Sequence, residues 1–135
     1  MLLPVASARD ADRTWSIAQV AAEFGVTHRT VRHYEDLGLI SPERHGTKRV
    51  FHRRDRTRLA LILRGKRLGF PLEEIRTIID LYDAPRGKTS QLEYAIAQAR
   101  IRRVDLEERR RDIDESLAEL ATFEASCQAD LDLLG

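Results

Sequence analysis

The chain has 135 residues, of which 42% are hydrophobic and 33% charged, and its formal net charge is only +1. Its longest apolar run, residues 59–63, is too short to cross a bilayer, which takes about 20 residues. A single cysteine excludes an intrachain disulfide. We find no nucleophile with a base, paired carboxylates, metal-ligand cluster or glycine-rich phosphate loop, so we expect neither an enzyme nor a metal or cofactor site.

Residues 1–13 are expected to form a flexible tail. Pro4 interrupts the short apolar start and charged residues soon follow it, so the segment does not have the pattern of a signal peptide. We therefore expect a cytoplasmic protein without a membrane partner.

A helix, a glycine turn and a second helix are predicted between residues 16 and 37. Apolar residues at helical spacing share one face of the first helix: Ile17, Val20, Ala21 and Phe24. Ser16 and Gln19 match a capping box at its start, and Gly25 can adopt the positive φ that ends it. Thr27 can cap the second helix. Two short helices joined in this way are typical of a DNA-binding helix-turn-helix.

The second helix separates a packing face from an outward face. Val31 and Leu37, with part of Tyr34, can pack on the first helix. Four side chains near its N-terminal half point outward: His28, Arg29, Arg32 and His33. In a helix-turn-helix this end enters the major groove, where an arginine can bond to guanine O6 and N7 together. Both arginines could instead be solvated surface charges, but the surrounding turn pattern favours DNA binding.

Charge is distributed unevenly along the chain. Helical patterns at 55–67 and 71–82 complete a first domain, and prolines and glycines at 83–89 predict a linker. Residues 28–67 hold twelve Lys and Arg against four Asp and Glu, a local charge of +8, whereas residues 90–135 hold six against eleven, a local charge of −5. A basic region joined to an acidic one is typical of nucleic-acid binding, although a basic surface can also lack a ligand.

Residues 90–131 are predicted to form one long helix, followed by a short tail at 132–135. Ser90 and Glu93 can form a capping box, and no proline or glycine interrupts the segment. Apolar residues recur every seven positions: Leu92, Ala99, Leu106, Ile113, Leu120 and Cys127. The companion heptad positions are apolar only at their ends and at Leu117. This pattern predicts a dimerisation coiled coil, and the alternative is a long amphipathic helix packed on its own domain.

Several motifs stand in a fixed order in the first domain. They read Thr30-Val31-Arg32-His33-Tyr34-Glu35-Asp36-Leu37-Gly38-Leu39-Ile40, followed by Arg49-Val50-Phe51 and Asp55. The chain thereby resembles the MerR family of bacterial transcription regulators over residues 14–82. The resemblance implies a mainly α fold, in which a winged helix-turn-helix domain at 14–82 precedes a long helix that pairs two subunits in an antiparallel coiled coil.

The same resemblance implies a homodimeric, sequence-specific regulator associated with the nucleoid. Family members bind palindromic operators inside promoters, bend or untwist that DNA, and thereby act indirectly on RNA polymerase. The DNA-binding set predicted here comprises Ser16, Thr27, His28, Arg29, Thr30, Arg32, His33, Tyr34, Lys48, Arg49, Arg53 and Arg54. Phe51 has no hydroxyl for a phosphate, so we expect it to pack. The alternative function is an architectural or partner-binding coiled-coil protein that binds DNA without choosing sequence.

The effector is not determined by these motifs. Metal- and redox-responding relatives use several cysteines, whereas this chain has only Cys127 on the predicted seam, so packing is favoured there over thiol sensing. Residues 54–70 are similar to the branch that controls branched-chain amino acid and fatty acyl catabolism. That similarity implies an acyl metabolite or its CoA ester as effector, but it is equally open that no small effector exists.

Overall fold

The computed structural model describes residues 13–81 and 87–135. Within them the chain forms five helices and a two-stranded sheet: α1 Ile17–Phe24, α2 His28–Asp36, β1 Glu43–His45, β2 Lys48–Val50, α3 Arg53–Arg67, α4 Leu72–Leu81 and α5 Gly87–Leu134. The predicted mainly α class, with its wing and long C-terminal helix, is confirmed. The chain divides into two units, Met1–Ala95 and Ile96–Gly135. Apart from Arg13 the predicted tail lies outside the described residues, as do the first four linker positions, 83–86.

The helix-turn-helix is stabilised by the local hydrogen bonds that the sequence predicts. The Ser16 hydroxyl accepts the Gln19 N–H at 3.1 Å, and the Gln19 side chain accepts the Ser16 N–H at 2.8 Å. Gly25 ends α1 at φ 65°, a conformation that costs glycine little. The Thr27 hydroxyl then accepts the Thr30 N–H at 3.1 Å and caps α2. The direction in which α2 leaves the turn therefore follows from short-range contacts.

The wing is an antiparallel hairpin of β1 and β2, in which Glu43 lies opposite Val50. Gly46 makes its turn at φ 64°. Just beyond β2, Phe51 exchanges two backbone hydrogen bonds with Trp15, at 2.8 and 2.9 Å. Phe51 is fully buried, which confirms its predicted packing role. The pairing with Trp15, which has no signal at the sequence level, attaches the wing to the segment before α1.

Helices α3 and α4 pack closely in the core of the first unit. A Cβ on Gly65 would lie 2.8 Å from Cγ1 of Ile75, so this glycine sets how near the two helices come. Helical spacing predicts the third helix at 55–67, and the helix itself begins two residues earlier, at Arg53. The Asp55 carboxylate accepts the His52 N–H at 2.9 Å, so Asp55 lies inside the first turn and α3 begins at Arg53.

The predicted bounds of the long helix are also corrected. It begins at Gly87 rather than Ser90, so residues 87–89 belong to α5 and not to a linker. Gln91 is fully buried and its Nε2 donates to the Ile78 carbonyl at 2.8 Å, which holds the first turns of α5 to α4. At the other end α5 runs to Leu134, through most of the predicted tail at 132–135.

The second unit consists of the remainder of α5, residues 96–134, followed by Gly135. Asp105 and Arg109, which lie one helical turn apart, form an ion pair at 3.1 Å that supports this part of the helix. The predicted seam is open to solvent in the single chain, with Leu106 48% exposed and Ile113 59%. In the described part of the chain no helix combines the length and apolarity needed to span a bilayer.

Candidate nucleic-acid interface

Helix α2 presents its polar face outward and its apolar face to the core. Val31 and Tyr34 are buried, whereas the four outward positions predicted from the sequence are all exposed: His28, Arg29, Arg32 and His33. The Thr27 and Thr30 hydroxyls lie 3.0 Å apart at the N-terminal end of the helix. This end therefore offers hydroxyl, imidazole and guanidinium groups on one surface.

The wing is held against α2 by one carboxylate. Arg44 and Arg49 lie directly opposite each other in the hairpin, where like charges destabilise a sheet. Glu35 on α2 neutralises both: Arg44 donates to its Oε1 at 3.0 and 3.2 Å, and Arg49 donates to its Oε2. Arg49 is only 18% exposed, so the structure gives it a positioning role, and its predicted DNA contact remains a prediction. The set of residues predicted from the sequence did not include Arg44. The signal available for it was its position in the same basic hairpin as Arg49.

The pKa of Glu35 reflects this arrangement. Partial burial raises it, but the hydrogen bonds and positive charges of Arg49 and Arg44 outweigh burial, and the net pKa lies below its ordinary value. A carboxylate with a lowered pKa stabilises the fold above its unfolded-state pKa and loses that contribution as the pH falls through the folded-state pKa.

We therefore expect Glu35→Gln to cost about 1.5–3 kcal/mol of unfolding free energy at neutral pH, the range for hydrogen bonds to charged groups. The deficit relative to wild type should shrink as the pH falls below the ordinary glutamate value of 4.5, because wild type then loses the same pairing. Urea denaturation at a series of pH values measures this. Glu43→Gln is the matched control, since that carboxylate is half exposed and its contacts are screened by solvent. A deficit that is constant with pH would contradict the assigned role of Glu35.

Other basic residues of the predicted set lie in the wing and at the start of α3. Lys48, Arg53 and Arg54 are all exposed. Between them, His52 binds the Glu43 carboxylate at 2.7 Å, and His45 approaches the same carboxylate at 3.1 Å. The hydrogen bond from His52 and the charge of His45 lower the pKa of Glu43. These contacts thus connect Glu43 of β1 to the N-terminal end of α3.

Two members of the predicted set also serve the fold. The Ser16 hydroxyl caps α1, and Tyr34 is only 6% exposed. Burial raises the pKa of the Tyr34 phenol. In the structure Ser16 and Tyr34 therefore have roles in the fold, and their predicted DNA contacts remain predictions.

The C-terminal turn of α2 is fixed by arginines that the sequence did not reveal. Arg76 of α4 donates to the Leu37 carbonyl at 2.6 Å, and Arg58 of α3 donates to the Leu39 carbonyl at 2.9 Å. Arg58 also lies 3.4 Å from Asp80. The helix that faces outward is therefore anchored at its far end to α3 and α4.

Metal binding finds no support in the described part of the chain, which holds no group of three or more potential His, Cys, Asp or Glu ligands. Cys127 is a free and exposed thiol on α5.

Comparison with known families gives two matches. A family described as "MerR HTH family regulatory protein" matches residues 15–81, and one described as "MerR, DNA binding" matches residues 56–123. Together they span the helix-turn-helix, the wing and much of α5.

Named relatives and solved structures agree with these matches. The HTH-type transcriptional activator TipA of Streptomyces coelicolor is 36% identical, over 64% of this chain and 41% of its own length. The HTH-type transcriptional regulator HmrR of Rhizobium leguminosarum bv. viciae is 34% identical, over 67% of this chain and 70% of its own length. A MerR family transcriptional regulator from Bacillus cereus has a similar structure, with a TM-score of 0.62 and 28% identity over 78% of this chain and 76% of the other. The chain spans about two fifths of the TipA sequence that it matches.

Proposed function

Because this chain belongs to the MerR family of non-enzymatic, DNA-binding transcription regulators, we propose that it acts as a homodimer that recognises a palindromic operator inside a promoter. The observation that carries the proposal is the outward face of α2, where Arg29 and Arg32 are exposed on a helix that Thr27 caps at its N-terminal end and Arg76 anchors at its C-terminal end. A recognition helix needs this combination of rigid support and free guanidinium groups to read base edges.

Phosphate contacts are proposed for the exposed basic residues around α2. Lys48 on the wing and Arg53 and Arg54 at the start of α3 would place the domain on the DNA backbone without reading sequence. The remaining members of the predicted set that are exposed near α2, Thr27, His28 and His33, would contact base edges or the sugar-phosphate chain. Bending or untwisting of the promoter, and the resulting effect on RNA polymerase, belong to the same proposal.

Dimerisation is supported by the seam of α5 and by the charge along it. Residues 88–111 hold seven Lys and Arg against four Asp and Glu, whereas residues 112–134 hold seven Asp and Glu and no Lys or Arg. Two such helices attract each other when antiparallel, because each acidic half then faces a basic half, and repel when parallel. The dimerisation residues remain those predicted: Leu92, Ala99, Leu106, Ile113, Leu117, Leu120 and Cys127.

A DNA-selection experiment followed by titration tests the proposal. Duplexes selected by the purified protein from a random pool should contain an inverted repeat, and binding to that repeat should exceed binding to a scrambled duplex by about 10³ or more at physiological salt. Similar affinity for both duplexes would instead support a sequence-tolerant architectural protein and overturn the proposed function.

The effector is not part of this proposal. No relative reported above has a name that refers to acyl or branched-chain amino acid catabolism, so that finer prediction gains no support. Association with the nucleoid follows from the proposed DNA binding.

A further inference from the structure

One face of the wing carries a carboxylate that two imidazoles share. Glu43 and His45 lie on the same face of β1, because side chains alternate along a strand, and Lys48 lies directly opposite His45. Oε2 of Glu43 lies 2.7 Å from Nε2 of His52, and Oε1 of Glu43 lies 3.1 Å from Nε2 of His45. One carboxylate therefore holds both rings by the same ring nitrogen.

The contact with Glu43 determines what the His45 ring can do with its other nitrogen. A carboxylate only accepts hydrogen bonds, so the Nε2 that faces it carries the hydrogen. In the neutral ring Nδ1 then has a lone pair and no hydrogen, and it cannot donate to an anion. When the ring takes up a proton, both nitrogens donate. On this carboxylate His45 can therefore bind a second anion only in its charged form.

Glu43 stays ionised over the range in which a histidine ordinarily titrates, which is centred at about pH 6.5. The hydrogen bond from His52 and the charge of His45 lower the pKa of Glu43 below its ordinary value of 4.5. The side chain of Glu43 is 51% exposed and that of His45 is 63% exposed. The His45 ring can thus reach an external ligand from its place beside the carboxylate.

The charged groups around these rings are mostly basic. Those of β2 and α3 are Lys48, Arg53, Arg54, Asp55 and Arg58. Asp55 is buried, and its carboxylate accepts the His52 N–H. A second positive charge opposite Lys48 is unfavourable in a hairpin. An anion beside the wing therefore favours protonation of His45, and a phosphate of the DNA backbone is such an anion.

We propose that His45 is a DNA-phosphate ligand that acts only in its protonated form, in which Nε2 donates to Glu43 and Nδ1 donates to a phosphate oxygen. This contact rests on the proposed DNA binding and adds to it a residue outside the predicted DNA-binding set. Each wing that engages the duplex takes up a proton from solvent onto Nδ1. Binding therefore strengthens as the pH falls.

Titration of duplex DNA at pH 8 and at pH 6, at constant ionic strength, tests the contact. We expect the gain in affinity of wild type between these two pH values to exceed the gain of His45→Ala by about fivefold or more, since two wings each take up one proton. His28 and His33 can add a pH dependence of their own, but it is present in both proteins, so the excess belongs to His45. His45→Lys, a permanent donor, should bind at pH 8 about as tightly as wild type does at pH 6.

A second variant tests the part that Glu43 plays. Glu43→Gln removes the charge and no longer requires the hydrogen on Nε2, so the neutral His45 ring can donate to phosphate through Nδ1. The excess pH dependence should therefore decrease. An unchanged excess would show that His45 acts as a free surface charge, and it would overturn the proposed role of Glu43.

Nuclear magnetic resonance of the His45 ring gives a site-specific measurement, with the signals assigned by their loss in His45→Ala. Addition of duplex should move the midpoint of the ring titration to higher pH by about half a unit or more. An unmoved midpoint, with equal pH dependence of wild type and His45→Ala, overturns the contact.

Failure of this contact is distinguishable from failure of the proposed function. Phosphate contacts carry no sequence information, so the excess should also appear with a scrambled duplex. A protein that prefers the inverted repeat but shows no excess overturns only the contact. A protein that shows the excess without that preference overturns only the proposed sequence-specific function, and a protein that binds neither duplex overturns both.

Discussion

Leu106→Asp is expected to convert the proposed homodimer into monomers and to lower operator affinity by about 10²–10⁴-fold, the gain that linking two binding modules provides. Leu106 lies near the middle of the predicted seam. By symmetry the substitution puts two unpaired carboxylates into the interface, and burial of an unpaired charge is strongly destabilising. Ile113→Asp should act in the same way.

Analytical ultracentrifugation and operator titration measure this effect. Leu106 is 48% exposed in the single chain, so the variant should keep its helical circular dichroism as a monomer. Ile101→Asp, on the face opposite Leu92, should leave both the dimer and DNA binding close to wild type. A Leu106→Asp protein that sediments as a dimer would contradict the coiled-coil proposal.

Arg32→Ala is expected to weaken operator binding by about 1–3 kcal/mol and to relax base preference at one position of each half-site. Arg32 is exposed on α2, and its planar guanidinium can donate two parallel hydrogen bonds to one guanine. The core does not contain this side chain, so the free energy of unfolding should change little.

Two further variants identify the origin of the loss. Arg32→Lys keeps the charge but not the paired donors, so it should lose specificity nearly as fully as Arg32→Ala. Arg111→Ala removes an exposed arginine of α5 and should change the affinity for either duplex only slightly. An equal loss of affinity of Arg32→Ala for operator and scrambled DNA would show that Arg32 contacts only phosphate.

Short-range patterns predicted the helix-turn-helix correctly. The Ser16–Gln19 capping box, the positive φ of Gly25 and the Thr27 cap each depend on residues at most three apart, and all three are confirmed. The same reasoning misplaced the starts of α3 and α5. For α3 the Asp55 cap was available in the sequence, whereas no short-range pattern marks Gly87 as the start of α5.

In the candidate interface, too, helical spacing predicted some features and the contacts between distant segments were not predicted. Helical spacing identified which side chains of α2 face outward, because that depends only on which positions are apolar. It did not identify Glu35 as the residue that binds both wing arginines, nor Arg76 as the anchor of the Leu37 carbonyl. Each of those contacts joins residues that only the packed fold brings together.

By itself the sequence determined the order of the helices, the basic and acidic halves, the outward arginines and the heptad seam, since each is a local or periodic property of the chain. Tertiary structure alone decided that Glu35 binds Arg49, that Trp15 pairs with Phe51 and that α3 and α4 approach each other closely at Gly65. These features depend on distances between segments far apart in sequence, which are set by how the whole core packs.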